Sequence, residues 1–131
     1  MEWTRVVIAL SLAFFGVLFL QSGWDKVADR KGNLDWLTGH FSQSPLKSMV
    51  PMLLSTLTLL ELASGLVSSW AGVGLFVPVI AFPVEAALVT CGVTLLCLFA
   101  GQRIAKDYAG AASIATYFGV LLVAYIASSL G

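Results

Sequence analysis

Four long apolar stretches constrain this chain more than any other feature. They lie near residues 3–24, 49–70, 75–100 and 108–130. A helix needs about 20 apolar residues to cross the hydrocarbon core of a bilayer. These stretches take up most of the sequence. The sequence therefore predicts an all-α integral membrane protein. We expect residues 1–131 to form a single transmembrane domain, a four-helix bundle.

The composition agrees with that fold and excludes several functions. Charged residues make up only 11% of the chain, against about 25% in soluble domains. Seven basic residues balance seven acidic ones, so no strong positive field exists to attract nucleic acid. Two cysteines and one histidine are too few for a Cys/His zinc site, a bis-His haem or an iron–sulfur cluster from this chain alone. We therefore expect a lipid bilayer as partner, no nucleic acid and no metal site.

The one substantial connection, residues 25–48, has an amphipathic segment. Three apolar residues share a face at helical spacing: Leu34, Leu37 and Phe41. This spacing predicts a short interfacial helix, on the membrane or over the mouth of the bundle, with irregular loop as the alternative. We expect Lys31-Gly32-Asn33 to end the first span and Asn33 to cap the new helix.

The connection between the second and third spans is predicted to be very short. Only Trp70-Ala-Gly-Val-Gly74 separates the two apolar stretches. A link of this length requires an antiparallel hairpin of helices packed side by side. Pro51 suits the first turn of the second span, where its missing N–H would have no helical partner.

Aromatic and basic residues distinguish the two membrane faces. Trp3 and Trp70 mark one side, whereas Trp24, Trp36 and Tyr108 mark the other. Six basic residues lie on the Trp24 side: Lys26, Arg30, Lys31, Lys47, Arg103 and Lys106. The positive-inside rule then predicts both termini outside, in a bacterial inner (cytoplasmic) membrane.

Two glutamates lie within the apolar stretches and are the leading candidates for function. A charge in the bilayer centre costs several kcal/mol and rarely faces lipid. The predicted spans put Glu61 and Glu85 at similar depth near the midplane, with Tyr117 at a comparable depth in the fourth span. Thr58, Ser64, Gly65 and Ser68 share the side of Glu61, which favours an inward orientation.

Three interpretations of these glutamates stay open at this point. They line a small polar cavity that holds a proton, a quinone headgroup or another small ligand. Alternatively, they are permanently protonated and hydrogen-bond to neighbouring helices. The third interpretation is a subunit interface.

A second candidate site lies at the rim on the Trp24 side. It consists of polar and charged residues from the end of the first span and from the connection between the last two: Gln21, Asp25, Lys26, Gln102, Arg103, Lys106 and Asp107. In one interpretation, Asp25 pairs with Arg103 or Lys106 and closes the bundle. In the other, Arg103 and Lys106 bind an anionic or polar ligand, to which the glutamines donate hydrogen bonds.

The remaining reactive residues favour structural roles. Cys91 and Cys97 are six residues apart on one predicted helix, too far for a disulfide. The single histidine, His40, is more typical of a capping or hydrogen-bonding residue than of a ligand. A ridge of small residues in the last span, Ala111, Ala115 and Gly119, favours packing inside the bundle, with a homodimer seam as the alternative.

Three segments together resemble the DoxX family of small four-helix membrane proteins. They are Phe19-Leu-Gln-Ser-Gly-Trp-Asp-Lys26, Leu60-Glu61-Leu62 with Gly65, and Gly101-Gln-Arg-Ile-Ala-Lys-Asp-Tyr-Ala-Gly-Ala111. The family takes its name from a resemblance to the membrane part of a thiosulfate:quinone oxidoreductase, and wider relatives are linked to periplasmic redox maturation. The resemblance implies a redox context but assigns no catalytic residue, and this chain lacks the paired cysteines of a disulfide-handling relative.

Three classes of function are compatible with these features. We favour a non-catalytic accessory or quinone-associated subunit of a membrane redox system, because no self-sufficient catalytic or nucleotide-binding constellation is evident. Quinone is the one cofactor this interpretation implies, and a membrane redox protein is the partner. The alternative is a small-molecule or proton transporter that uses the midplane carboxylates; an independent enzyme is the third.

Overall fold

The computed structural model describes residues 2–130, and that part of the chain is helical, with no strand. It contains α1 (Trp3–Ala28), α2 (Arg30–His40), α3 (Val50–Gly74), α4 (Val84–Ile104) and α5 (Tyr108–Leu130). All of these except α2 are long and apolar enough to cross a membrane. The predicted all-α class and the membrane character of the chain are therefore confirmed.

The four long helices pack around an apolar core. Helix α1 contacts α3 and α5, and α4 contacts the same two helices. The centre is filled by large side chains that are almost fully buried, among them Leu12, Phe15, Phe19, Leu88 and Leu95. Burying such side chains against each other fixes the relative positions of the helices.

Helices α1 and α3 approach each other most closely, and a glycine makes this possible. A Cβ added at Gly65 would lie 2.8 Å from the backbone nitrogen of Leu20. Further along, Gly23 lies against Leu62. Glu61 is therefore level with the C-terminal part of α1, roughly 6 Å before its end.

Helix α2 forms as predicted, but it begins earlier. The side chain of Asp29 accepts a hydrogen bond from the backbone N–H of Gly32 at 3.1 Å and caps the helix. Asn33 lies inside α2, where its amide donates to the carbonyl oxygens of Asp25 and Asp29. The prediction that residues 31–33 break the helix is wrong, because the acidic residue just before them supplies the better cap.

The predicted apolar face of α2 is buried. Leu37 and Phe41 pack with Val50 and Leu54 of α3, and Leu34 packs against this cluster. Pro51 lies in the first turn of α3, as predicted. The face that hydrophobic spacing identified therefore fixes α2 against the start of α3.

The third apolar stretch differs most from its prediction. Helix α3 continues to Gly74, and α4 begins only at Val84, not near residue 75. The apolar residues between them form a connection with a short 3-10 turn, Pro78–Ile80, whose carbonyl at Ile80 accepts a hydrogen bond from Trp70 at 2.6 Å. Hydropathy does not distinguish such a connection from a helix, whereas its two prolines do.

A tight turn joins α4 to α5 at the Trp24 end, by which we mean the end of the molecule that carries Trp24, α2 and this turn. Lys106 has a φ of 61°, and the N–H of Asp107 donates to the carbonyl of Gln102 at 2.9 Å, a Schellman-type helix end. The Asp107 carboxylate then accepts from the N–H of Gly110 and starts α5. This turn brings residues 102 and 107 beside α2.

Candidate functional site

An ion pair between α1 and α3 is the central polar feature of the interior. Lys26 Nζ lies 2.8 Å from Glu61 Oε1, and the side chains are 14% and 2% exposed. The approach is not aligned as a hydrogen bond, so Oε1 has a charge partner but no hydrogen-bond donor within residues 2–130. Lys26 also donates to the hydroxyl of Ser22 at 3.0 Å.

The predicted inward side of α3 is confirmed. Thr58, Glu61, Ser64, Gly65 and Ser68 are all buried. Further along this side, hydroxyl groups bridge α3 to α4: Ser64 lies 2.6 Å from Thr94 and Ser68 lies 2.9 Å from the Cys91 thiol. Glu61 therefore shares the buried side of α3 with the hydroxyl groups that bridge this helix to α4.

Glu85 and Tyr117 do not join Glu61. Glu85 is exposed in the first turn of α4, and Thr94, which contacts the carbonyl of Leu60, lies roughly 14 Å further along that helix. The predicted shared depth is wrong because the third stretch begins with a non-helical connection. Tyr117 packs its ring against Phe14, with centroids 5.7 Å apart, in the apolar core.

A cavity of about 160 Å³ lies beside Lys26 at the Trp24 end. Four polar side chains line it: Lys26, Asn33, His40 and Gln102. The rest of the wall is aromatic or apolar apart from one cysteine and one glycine: Trp36, Leu37, Phe41, Leu57, Cys97, Leu98, Gly101 and Ile114. We call this space the Lys26 cavity.

His40 connects α2 to the turn between α4 and α5. Its Nε2 lies 2.7 Å from Gln102 Oε1 and 3.8 Å from a carboxylate oxygen of Asp107. Its ring stacks on Trp36, with centroids 4.4 Å apart, and meets Phe41 edge-on. His40 thus has the hydrogen-bonding role that its isolation in the sequence suggests, and this role places it in the cavity wall.

The predicted rim cluster divides into separate groups. Lys26 and Gln102 line the Lys26 cavity, and Asp107 lies beside its histidine. The remaining members lie elsewhere: Gln21 in a groove between α1 and α3, Asp25 bonded to Asn33, Arg103 over the ring of Tyr108, and Lys106 exposed in the turn.

The ion pair predicted for Asp25 is not formed. In the described part of the chain, its carboxylate accepts a hydrogen bond from the Asn33 amide at 3.2 Å instead. The guanidinium carbon of Arg103 lies 4.5 Å from the centroid of the Tyr108 ring. A guanidinium is attracted to the face of an aromatic ring. Asp25 therefore orients Asn33 in the cavity wall, and Arg103 stays exposed at the surface.

This arrangement suits a small uncharged ligand that accepts hydrogen bonds. Glu61 lies 2.8 Å from Lys26 and balances its charge, so this pair adds no net charge to the cavity. An ammonium group has three N–H donors, and Lys26 donates one to Ser22, so it keeps a donor to offer a ligand. The apolar part of the wall lowers the local polarity around the ammonium group, which strengthens such a bond.

Among residues 2–130 there is no cluster of three or more His, Cys, Asp or Glu side chains arranged to hold a metal ion. No family model, curated protein or solved structure matches the chain. The resemblance to the DoxX family stays a prediction, and the function has to be argued from the site.

Only Lys26 and Gln102 among the cavity residues were candidate site residues in the sequence. Asn33, Trp36, His40 and Cys97 are among those that were not. The available signal was the spacing of Trp36 and His40, four residues apart on a predicted helix and thus on one face. The sequence does not reveal that α2 packs against α3, or how the α4–α5 turn is placed. These two features together bring the side chains around Lys26.

Proposed function

We propose that this chain is a quinone-binding accessory subunit of a membrane redox system and that the Lys26 cavity holds the quinone ring. The observation that carries the proposal is the position of Lys26, whose ammonium group is balanced by Glu61 at 2.8 Å and also lines the cavity. A quinone carbonyl is an uncharged acceptor, and a charged donor gives it a strong hydrogen bond.

The size and lining of the cavity support a single six-membered ring. An apolar cavity of about 150 Å³ can hold one benzene molecule, and the Lys26 cavity has about 160 Å³. Trp36 and Phe41 supply aromatic faces, against which a flat ring packs favourably.

The rest of the proposal concerns the setting of the site. The four long helices form a transmembrane bundle of the DoxX type, α2 lies at the membrane interface, and the Trp24 end faces the cytoplasm of a bacterial inner membrane. In this proposal a membrane redox protein is the partner and supplies the electrons. Arg103 and Lys106, both exposed beside the cavity, form the docking surface for that partner.

Quinone binding is tested by fluorescence in nanodiscs. Tetramethyl-p-benzoquinone is fully substituted, so Cys97 cannot add to its ring, and we expect it to quench the Trp36 fluorescence saturably. The double variant Lys26→Met/Glu61→Gln removes the donor and its buried counter-charge together. Loss of one charge-assisted hydrogen bond should weaken binding about tenfold or more.

The control for this test is Lys31→Met, which removes an exposed lysine of α2 that does not line the cavity. It should bind the quinone like the wild type. Quenching that does not saturate, or an equal affinity in the double variant, would reject the Lys26 cavity as a quinone site.

Docking is tested by extracting the chain in mild detergent with its partner. The proposal expects the complex to persist in Lys31→Met and to be lost in Arg103→Ala. A complex that survives in Arg103→Ala would move the docking surface elsewhere on the protein.

A second candidate function is proton or small-molecule transport, which the buried ion pair favours. Glu61 is 2% exposed and begins a row of hydroxyl groups towards the other end of α3, a pattern found in proton relays. If the chain conducts protons, liposomes with Glu61→Gln should lose a pH-driven flux that wild-type liposomes show. Equal flux in both would rule out Glu61 as the coupling residue.

A further inference from the structure

An apolar groove on the outer surface of the protein adjoins the Lys26 cavity. The groove lies between α4 and α5, has a volume of about 170 Å³ and is lined by Leu95, Leu96, Phe99, Ile114, Ala115 and Phe118. Ile114 lines the cavity as well. The Ile114 side chain therefore stands between the two spaces. The cavity has polar groups in its wall, and the groove has none.

The groove faces outward at a depth where a membrane-spanning helix meets lipid. Leu96 is 56% exposed and Phe99 36% exposed, and Ala115 is exposed as well. The small side chain of Ala115 leaves space among the other lining residues, which are all large and apolar. Hydrocarbon is the only solvent that suits such a surface in a membrane.

We propose that the ligand of the Lys26 cavity is a lipid with a polar ring and a hydrocarbon tail, and that this groove between α4 and α5 holds the tail. The inference rests on the proposed function and makes it more specific, since a water-soluble ligand needs no such groove. The ligand then enters sideways from the bilayer past Ile114, ring first, and its tail stays in contact with lipid.

The position of the groove, separated from the cavity by the single side chain of Ile114, argues for this occupant. The other large groove, between α1 and α3, is lined by Ala13, Gly16 and Gln21 among others, and shares no lining residue with the cavity. A tail attached to a ring in the cavity has to pass only Ile114 to reach the α4–α5 groove, whereas the other groove is lined by α1, α3 and Phe76 and has no wall in common with the cavity.

Photolabelling tests the position of the tail. The probe is a trimethyl-p-benzoquinone with a decyl chain that carries a diazirine, used in nanodiscs at a low ratio to lipid. We expect labels on residues 95–99 and 114–118, and we expect excess tetramethyl-p-benzoquinone to remove them by displacing the ring. A phospholipid with the same diazirine reports the background labelling of all lipid-facing surfaces.

A pair of matched variants gives a second measurement. Ala115→Trp fills the α4–α5 groove, whereas Ala13→Trp places the same side chain in the α1–α3 groove, at another exposed alanine. We expect Ala115→Trp to weaken binding of the decyl quinone about tenfold or more by steric exclusion, and to change binding of the tail-free quinone less than about twofold. Ala13→Trp should leave both affinities unchanged.

The outcomes separate this inference from the proposed function. If neither quinone binds the wild type, the proposed function fails. If both bind but labelling falls on the α1–α3 groove, or Ala115→Trp leaves the decyl quinone unaffected, the tail position is refuted and the ring site stands. Cross-links from the groove to a second copy of the chain, unaffected by quinone, would also refute it by showing a different occupant.

Discussion

Removing one member of the Lys26–Glu61 pair should destabilise the protein unequally, depending on which member is lost. The two atoms lie 2.8 Å apart, which at an effective dielectric constant of about 20 corresponds to a gross attraction of roughly 6 kcal/mol. Desolvation of both groups offsets much of this attraction. The exposure of the partner that stays behind then decides the net cost.

Lys26→Met leaves Glu61, which is 2% exposed, as an uncompensated buried charge. We expect this variant to lose about 3 kcal/mol of unfolding free energy, the lower end of the range for a broken buried pair. Glu61→Gln leaves Lys26, which is 14% exposed and can turn its ammonium group towards the cavity, so its cost should be about 1–2 kcal/mol. The double variant Lys26→Met/Glu61→Gln should return to within about 1 kcal/mol of the wild type, since neutral groups need no partner.

Equilibrium unfolding in mixed micelles of a denaturing and a mild detergent, followed by tryptophan fluorescence, measures these differences. A loss of about 3 kcal/mol changes the folding equilibrium constant roughly a hundredfold. Three results would refute the reasoning: a Lys26→Met variant as stable as the wild type, a Glu61→Gln variant less stable than Lys26→Met, or a double variant no more stable than the worse single one.

Three further predictions follow from local geometry. Gly65→Ala should lower the unfolding free energy by about 1–3 kcal/mol, because its Cβ meets the backbone of α1. Gly119→Ala has open space around it, so it should be neutral or raise the unfolding free energy by up to about 1 kcal/mol through helix propensity. The same micelle titration measures both variants, and equal effects would contradict the close approach of α1 and α3. Lys106→Gly should stabilise the protein by about 1 kcal/mol in thermal unfolding, since φ is 61° there, and a loss of stability would contradict the strained turn. In intact protein a maleimide should modify Cys97, which is exposed, and not Cys91, which is buried; a bound quinone should slow the reaction at Cys97, and peptide mass spectrometry reads out both sites.

Hydrophobic patterning predicts the fold well where helices are long and regular. The residues that bound α5 coincide with the predicted span, and the buried side of α3 around Glu61 follows the three- and four-residue spacing of a helix. The third span was misplaced because residues 75–83 are as apolar as a helix, although Pro78 and Pro83 prevent the backbone from continuing as one. The error in the position of Glu85 follows directly from this.

The candidate site was only partly predictable because it depends on contacts between distant segments. Lys26 and Glu61 were both identified, but as members of separate sites, since sequence spacing does not give the register of α1 against α3. That register depends on the glycine contacts between the two helices, such as Gly65 against Leu20. His40 joins the cavity because the α4–α5 turn places Gln102 within 2.7 Å of it, a juxtaposition of residues 62 positions apart.

The most direct test of the quinone site is native mass spectrometry of the chain extracted from its own membranes into nanodiscs. The variant Cys97→Trp provides the comparison, because it fills the Lys26 cavity from an exposed position in its wall. We expect the wild type to retain a molecule with the mass of a membrane quinone, to release it when tetramethyl-p-benzoquinone is added, and to lose it in Cys97→Trp. Retention of ordinary phospholipids only, or equal retention of the quinone in Cys97→Trp, would contradict the assignment of the cavity.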